Sequence, residues 1–307
     1  MVGDEVKITI DDIIRILTRG DYDILGKEER CVSDVSPIDS ASDNDLVFCS
    51  KVGDDAKELL METKAKTIIT DFENREICEE IAKKTFILVE RPKLIFGRIV
   101  KEYFVNKEKT GIHPSAVIDD NCKIGERVYI GPNTHIGENV EIGSGTKIHS
   151  GVTIYKNTKI GCEVIIYSGA IIGEAGYSFD KNKGDIYERF PQMGNVVIQD
   201  DVEIGANTCV DRGTMESTII GKGSKLNNLI HVAHNVKIGN NCMILPCTSI
   251  AGSSEIKDNV WIAPGVTIRQ HLTIGENSLV GMGAVVTKDV EDGITVIGVP
   301  AKPINKK

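Results

Sequence analysis

Two histidines placed three residues apart are the side chains of this sequence best suited to acid–base chemistry. His231 and His234 lie in the segment HVAHNV, and the whole chain has only six histidines. An imidazole changes its charge near neutral pH, so His234 could take a proton from an amine or hydroxyl nucleophile. A lone surface histidine is usually inert, and the groups that accompany His234 therefore decide between these interpretations.

The positions of two other residues relative to His234 suggest which reaction it could serve. Gly252 follows His234 by 18 residues and His271 follows it by 37. In a coil that closes after 18 residues, Gly252 would stack beside His234, and His271 would lie about two coils further along the same side. The glycine N–H could then stabilise the oxyanion of a tetrahedral intermediate. No Ser or Cys nucleophile elbow is evident, so the pattern predicts acyl transfer by direct attack.

A six-residue repeat is the element that would impose this spacing. Isoleucine occupies every sixth position from Ile112 to Ile172; the register resumes at Ile198, slips once after Val210 and runs on to residue 286. Neither the helical period of about 3.6 residues nor the strand period of about 2 produces this pattern, whereas a solenoid of hexapeptides does. With three hexapeptides per triangular coil, the 26 repeat positions predict 8 to 9 coils of a parallel β-helix.

The first part of the chain has a different pattern, typical of a small α/β domain. Apolar spacing predicts a helix over residues 8–17, with Thr9 or Asp11 as N-cap. Further expected elements are strands at 66–71 and 86–90 and helices at 72–84 and 93–104, the last opened by Pro92. The predicted organisation is an α/β domain over 1–108, the β-helix over 109–290 and a short tail over 291–307.

The repeat is interrupted once by a long segment, residues 173–197. It contains Tyr177, Phe179, Tyr187 and Phe190 among charged residues and glycines. A loop of this length in a tight solenoid is commonly functional, and we expect a flap over a binding cleft. The alternative is a surface excursion that packs its own aromatic side chains.

The composition of the chain indicates which binding partners and which cellular compartment to expect. A net charge of −9 and a pI near 5.3 disfavour a nucleic-acid partner. No apolar run approaches a membrane span, and no signal-peptide pattern opens the chain. The eight cysteines form no CxxC pair, which favours a reducing cytoplasm over a disulfide framework.

Four segments together resemble one family. They are CVSDVSPIDSASDNDLVFCSK (31–51), GYSF (176–179), PQMGNVVIQDDVEIG (191–205) and IGANTCVDRGTMESTIIGKGSKLNNLIHVAHNVKIG (204–239). They are similar to UDP-3-O-acylglucosamine N-acyltransferases, over roughly residues 30 to 290. The resemblance implies a left-handed β-helix, a homotrimer, a uridine-binding N-terminal domain and acyl transfer from a thioester to a nucleotide-linked amino sugar in lipid A synthesis. It implies no permanently bound cofactor and no metal.

The resemblance also implies roles for individual residues. His234 matches the catalytic base, His271 an assisting histidine and Gly252 the glycine whose N–H holds the oxyanion. Phe48 matches the aromatic residue that stacks on uracil. We expect the remaining substrate-binding residues to be Tyr177, Phe179, Asn227, Asn228 and Asn235.

Three departures from the family pattern affect these expectations. Asn227 replaces an aspartate found seven residues before the catalytic histidine, so carboxylate support of the imidazolium should be weaker. The tyrosine expected shortly after Phe48 is missing. The ending GVPAK resembles CoA-dependent sugar acetyltransferases, which favours acyl-CoA as donor over acyl carrier protein. Cations near the chain end could contact its phosphates, or merely solubilise an exposed tail: Lys288, Lys302, Lys306 and Lys307.

Three alternative functions stay open at the level of sequence. The first is a CoA-dependent acetyltransferase that acts on a nucleotide-linked amino sugar for a surface glycan. The second is a zinc-dependent hydratase resembling γ-class carbonic anhydrase, with His149, His231 and His234 as ligands. The third is a scaffold without catalytic activity.

Overall fold

Two separately packed units make up the chain, Met1–Glu108 and Lys109–Lys307. The computed structural model describes residues 7–17, 22–26, 31–105 and 110–304. Within these ranges, no helix is both long enough and apolar enough to span a membrane.

The first unit is a five-stranded mixed sheet with helices and a small two-stranded sheet. Its strands are β1 (Ile8–Thr9), β2 (Tyr22–Leu25), β3 (Cys31–Val32), β4 (Asp34–Val35), β5 (Asp45–Cys49), β6 (Thr67–Thr70) and β7 (Thr85–Val89). Its helices are α1 (Ile10–Ile16), α2 (Asp54–Glu62), α3 (Arg75–Glu80) and α4 (Pro92–Ile99). The sheet order is β2-β7-β6-β5-β4, and only β2 is antiparallel to its neighbour.

Burial on both faces explains the short apolar runs of the central strands. Every residue of β6 and β7 is buried. Ile68 and Phe86 join the core on one side of the sheet, whereas Ile69 and Ile87 join the core on the other. Such strands are typical of parallel sheets covered on both faces.

The helices begin close to where the sequence predicts them. Thr9 caps α1 through a reciprocal capping box with Asp12. The helix expected over 72–84 is a 3₁₀ turn at Phe72–Asn74 followed by α3, and a π-helical turn at Val100–Phe104 extends α4.

The second unit is a parallel β-helix with three faces. Its longest face has 11 strands: Gly111–Ile112, Tyr129–Ile130, Lys147–Ile148, Ile165–Ile166, Glu203–Ile204, Lys225–Leu226, Met243–Ile244, Trp261–Ile262, Leu279–Val280, Thr295–Ile297 and Lys302–Pro303. The nine-stranded face contains Val117–Ile118, His135–Ile136, Thr153–Ile154, Ile171–Ala175, Cys209–Arg212, His231–Val232, Ser249–Ile250, Thr267–Ile268 and Val285–Val286. The eight-stranded face contains Lys123–Ile124, Glu141–Ile142, Lys159–Ile160, Asn195–Ile198, Ser217–Ile220, Lys237–Ile238, Glu255–Ile256 and Thr273–Ile274.

The isoleucine repeat forms the core of this unit. Ile130 pairs with Ile148, and Ile148 with Ile166, so each coil takes 18 residues. All three side chains are fully buried in one continuous apolar cluster. Tight corners separate the faces: a Cβ on Gly143 would lie 2.5 Å from the carbonyl of Gly161 on the next coil. This confirms the hexapeptide solenoid.

Two insertions change the register, and both lie at the corner between the nine-stranded and eight-stranded faces. Residues 173–197 widen the pairing interval from 18 to 38, as in Ile160 with Ile198, and form a hairpin of Phe179–Lys181 and Tyr187–Arg189. Residues 213–216 give an interval of 22, as in Val210 with Val232. The coils on either side keep their stacked cores.

The end of the β-helix differs from the predicted boundary at residue 290. Thr295–Ile297 pairs in parallel with the coil below, at an interval of 16, because Val296 continues the inward column above Val280. Lys302–Pro303 then turns back and pairs antiparallel. Between them, Gly298 and Ala301 exchange backbone hydrogen bonds with Val285 on the nine-stranded face. The segment expected as a tail therefore covers the last coil.

Candidate active site

His234 lies at the corner where both insertions occur. It follows the strand His231–Val232, and its side chain is half-buried. Val210 pairs with Val232, so Arg212 holds the matching place one coil below. One coil above, the Ser253 N–H donates to the His234 carbonyl at 3.0 Å, which brings Gly252 over His234. The stack of His234 and Gly252 is the one expected from the 18-residue interval.

Gly252 lies directly against the His234 imidazole. A Cβ built on Gly252 would lie 2.8 Å from both Cε1 and Nε2 of that ring, so only glycine leaves room for it. Gly252 is buried, and across residues 110–304 its N–H has no hydrogen-bond acceptor in the protein. Buried backbone donors are almost always paired. This unused donor beside the Nε2 edge of an imidazole is the arrangement needed to bind an oxyanion.

The long insertion forms the other wall of the site. A Cβ on Gly176 would lie 3.0 Å from the Cβ of His234 and 3.1 Å from its Cδ2. Arg189 from the hairpin donates to the Gly176 carbonyl at 3.3 Å and lies 4.7 Å over the Phe179 ring. Tyr177 packs on Phe179 at 4.8 Å and remains 85% exposed. Contact with His234 favours the flap over a surface excursion.

The short insertion supplies a further contact to His234. Thr214 Oγ1 lies 3.5 Å from Nδ1 of the ring, and Asn235 Oδ1 lies 3.3 Å from the same nitrogen. Sequence reasoning did not identify Thr214, nor Gly176. The signal that could have found both is the position of the two register breaks, which fall on consecutive coils at the corner of His234.

A buried guanidinium lies beneath His234. Arg212 is 6% exposed, and its Nε donates to the Gly173 carbonyl at 2.7 Å. Burial raises the pKa of Glu174, but a hydrogen bond from Tyr155, a backbone amide and the charges of Arg212 and Arg189 outweigh it and lower that pKa. The Glu174 carboxylate in turn raises the pKa of Tyr155. An ionised carboxylate therefore balances the buried guanidinium and fixes the start of the flap.

His231 points outward from the strand and is paired with a different group. Its Nε2 lies 3.2 Å from Oδ2 of Asp211, and this hydrogen bond raises the pKa of His231. The Asp211 carboxylate is thus hydrogen-bonded to His231 and not to His234.

The other expected site residues are distributed over two corners. The His271 side chain is exposed. The backbone N–H of His271 donates to the Gly252 carbonyl at 3.1 Å, so this residue adjoins the site from one coil above Gly252. Asn227 and Asn228 lie at the preceding corner, six to seven residues before His234. There Asn228 Oδ1 accepts the Ala206 N–H at 2.7 Å. Within one chain the structure does not bring these two asparagines to His234.

The three histidines of the hydratase alternative do not converge. His149 follows a strand of the 11-stranded face and stacks on Tyr167 at 5.1 Å, whereas His231 and His234 belong to the nine-stranded face. Among the residues that the structure describes, no group of three or more His, Cys, Asp or Glu side chains is placed to hold a metal ion.

The first unit has a cavity of its own at the carboxyl ends of its parallel strands. The cavity measures 720 Å³ and is lined by Ser50, Asp71 and Glu90, which follow β5, β6 and β7, and by basic residues of α4. Ligands of open α/β sheets bind at this edge. Phe48 lies on β5 just before it, with its ring 4.9 Å from Phe96 of α4.

Comparison with known proteins places this geometry in context. A model of bacterial transferase hexapeptide repeats matches residues 121–156, 217–252 and 253–288. A UDP-3-O-acylglucosamine N-acyltransferase of Delftia acidovorans is 41% identical over 86% of this chain and 78% of that protein. Another, from Caulobacter sp. strain K31, is 45% identical over a segment that spans 45% of this chain and 41% of that protein.

Solved structures agree on the fold of the second unit. UDP-N-acetylglucosamine acyltransferases from Francisella novicida and Bacteroides fragilis each match with a TM-score of 0.58 over 63% of this chain, at 29% and 30% identity. The matches cover 70% and 74% of those chains. They are left-handed β-helices, which confirms the predicted fold class.

The contact between Gly252 and His234 leads to a test of the site. We expect Gly252→Ala to lower acyl-transfer kcat by about 10²-fold, the usual loss of one oxyanion donor, because the new methyl displaces the ring and covers the N–H. The melting temperature should change little, since a side chain can move where backbone could not. Gly184→Ala in the exposed hairpin turn is the control, because its backbone φ is not positive and a Cβ there would make only an ordinary contact of 3.4 Å with Asn182 Oδ1. A Gly252→Ala enzyme with wild-type kcat would contradict this role.

Proposed function

Because the chain belongs to the UDP-3-O-acylglucosamine N-acyltransferase family, we propose that it transfers an acyl group from a thioester to the amine of a nucleotide-linked amino sugar in lipid A synthesis. The observation that carries this proposal is the unpaired N–H of Gly252, a residue that lies against the imidazole of His234. A base and an oxyanion donor side by side are what direct acyl transfer requires. Family membership does not favour a surface-glycan acetyltransferase.

The proposed reaction is a direct attack without an acyl-enzyme. The sugar amine attacks the thioester carbonyl while His234 takes a proton from the amine nitrogen. The carbonyl oxygen becomes negative and accepts a hydrogen bond from Gly252. The intermediate then collapses, the carbon–sulfur bond breaks, and the proton passes from His234 to the leaving thiolate, so that an amide and a thiol are formed. His271 would assist from the adjoining coil.

Each unit contains its own candidate residues for binding the acceptor. We assign the nucleotide to the first unit, with Phe48 stacking on uracil beside the carboxyl edge of the sheet. We assign the sugar to the His234 corner, with Tyr177, Phe179 and Asn235 around it. The enclosure of this corner by the flap supports the second assignment.

A homotrimer would complete the site between neighbouring copies. In such a trimer, the corner of one copy that carries Asn227 and Asn228 can approach the His234 corner of the next. Part of the 11-stranded face supports this arrangement, because its outward residues there are apolar. Lys123 and Glu141 form an ion pair on the eight-stranded face, whereas the 11-stranded face carries a ladder of Met243, Trp261 and Leu279. Apolar columns of this kind mark association surfaces.

The donor would lie along the same corner as the catalytic pair. Lys288 follows His234 by three coils of 18 residues and is exposed at the matching place, where it can meet a donor phosphate. Lys302 lies on the 11-stranded face, and Lys306 and Lys307 lie outside the described residues. We propose acyl-CoA as the preferred donor, with acyl carrier protein as the other candidate. All eight cysteines are free, which supports a cytoplasmic enzyme.

Removing the base tests the reaction. We expect His234→Ala to lower kcat by at least about 10²-fold, the contribution of a general base, with the fold intact. His135→Ala, an exposed histidine of the same face paired with Asp119, is the control and should keep wild-type rates. Steady-state rates of His234→Ala close to wild type would remove His234 from the mechanism.

The donor is tested by kcat/KM for matched acyl-CoA and acyl-carrier-protein thioesters. We expect CoA thioesters to serve, and Lys288→Ala to raise their KM several-fold while Lys302→Ala does not, because only Lys288 lies on the His234 corner. A preference of about 100-fold or more for the carrier protein would overturn the CoA assignment.

A substitution in the apolar ladder of the 11-stranded face tests whether the protein is a trimer. Trp261 is 45% exposed, so Trp261→Arg should leave the coil folded but place a charge in the proposed interface. Light scattering is expected to show a trimer for the wild type and monomers for Trp261→Arg. Thr273→Arg on the charged face is the matched control and should remain trimeric. A monomeric wild type that turns over substrate would rule out a shared site.

A further inference from the structure

We propose that Thr214 and Gln192 are positioning residues that hold His234 in a single tautomer, with its proton on Nδ1 and a bare Nε2 as the base. This inference rests on the proposed acyl transfer, because the tautomer matters only if His234 takes a proton. It follows from a chain of hydrogen bonds whose direction can be read from one end to the other.

The direction begins at a backbone carbonyl. Gln192 Nε2 lies 3.2 Å from the carbonyl oxygen of Phe190, and a carbonyl only accepts, so the amide nitrogen of Gln192 is the donor. The amide oxygen of Gln192 is thereby the atom that lies 3.0 Å from Thr214 Oγ1. An amide oxygen also only accepts, and Thr214 must give it the one hydroxyl proton.

The Thr214 hydroxyl then has only lone pairs left for His234. It lies 3.5 Å from Nδ1, a long contact of the kind that tightens when substrate binds at a catalytic site. A lone pair facing an imidazole nitrogen is favourable only if that nitrogen carries a proton. The neutral ring is therefore driven towards the form with hydrogen on Nδ1.

A second acceptor acts in the same direction. Asn235 Oδ1 receives the backbone N–H of Thr214 at 2.7 Å, which identifies this atom as the oxygen of the amide. The same oxygen lies 3.3 Å from Nδ1 of His234. Two oxygen acceptors thus face Nδ1 and favour a proton there. The other ring nitrogen, Nε2, then carries no proton and lies beside Gly252.

This arrangement orients the base without a carboxylate. Across the described ranges no Asp or Glu is hydrogen-bonded to the His234 ring, Asp211 is engaged by His231, and Asn227 lies at another corner. A carboxylate would fix the tautomer and also stabilise the imidazolium. The neutral relay of Thr214 and Gln192 fixes the tautomer alone.

The test combines an isosteric substitution with a direct view of the ring. Thr214→Val removes the hydroxyl and keeps the shape and the backbone contacts, whereas Thr214→Ser keeps the hydroxyl. Nitrogen-15 NMR of histidine-labelled protein separates the two neutral tautomers by their ring shifts, with the His234 signal identified by its loss in His234→Ala. We expect Nδ1–H in wild type and Thr214→Ser, and a mixture in Thr214→Val.

The kinetic result should follow the spectrum. We expect Thr214→Val to lower kcat about 10-fold with little change in KM, the rate equivalent of one hydrogen bond, since Asn235 retains part of the preference. Thr214→Ser should restore kcat. A wild-type ring protonated on Nε2, or a Thr214→Val enzyme with unchanged tautomer and kcat, would overturn the inference. If the wild type transfers no acyl group at all, the proposed function fails, while the ring spectrum still decides the tautomer.

Discussion

The stacking of each coil on the next at a fixed interval is the constraint on which the rest of the second unit depends. Parallel backbone hydrogen bonds join residues 18 apart, and the inward aliphatic side chains fill the space that the bonds enclose. A residue's position along the chain therefore sets both its corner and its height. His234 and Gly252 meet because they are one coil apart, and neither needs a dedicated structural element to reach the other.

The insertions exploit the freedom that this constraint leaves at corners. A strand position is fixed by two neighbouring coils, whereas a corner can be lengthened at the modest cost of closing a longer loop. Both insertions enlarge one corner on consecutive coils below His234, and the inward column continues across them. The result is a pocket wall made of irregular chain on a rigid support, with Gly176 and Thr214 on two sides of one imidazole.

This division explains which parts of the site the sequence could reveal. The isoleucine period predicts the fold, and the 18-residue interval predicts that Gly252 stacks on His234. The 18-residue interval does not predict the position of Thr214, because four inserted residues widen the spacing between paired strands of its coil from 18 to 22. Gln192 lies in a loop that has no repeat from which its position could be predicted. Asn227 and Asn228 stand close to His234 in sequence, but six residues carry the chain along one whole face to the next corner. Sequence proximity thus misleads wherever one hexapeptide separates two corners.

The returning segment at the end of the β-helix bears on how the molecule avoids polymerisation. An open parallel β-helix exposes a row of unpaired strand groups, and such an edge is a template for end-to-end growth into fibres. Here residues 298–301 occupy the exposed groups of Val285, and the last strand, Lys302–Pro303, runs against the others. Its outer edge includes a proline, which has no N–H to offer, and a charged lysine. The coil that could extend indefinitely is thereby closed by its own chain.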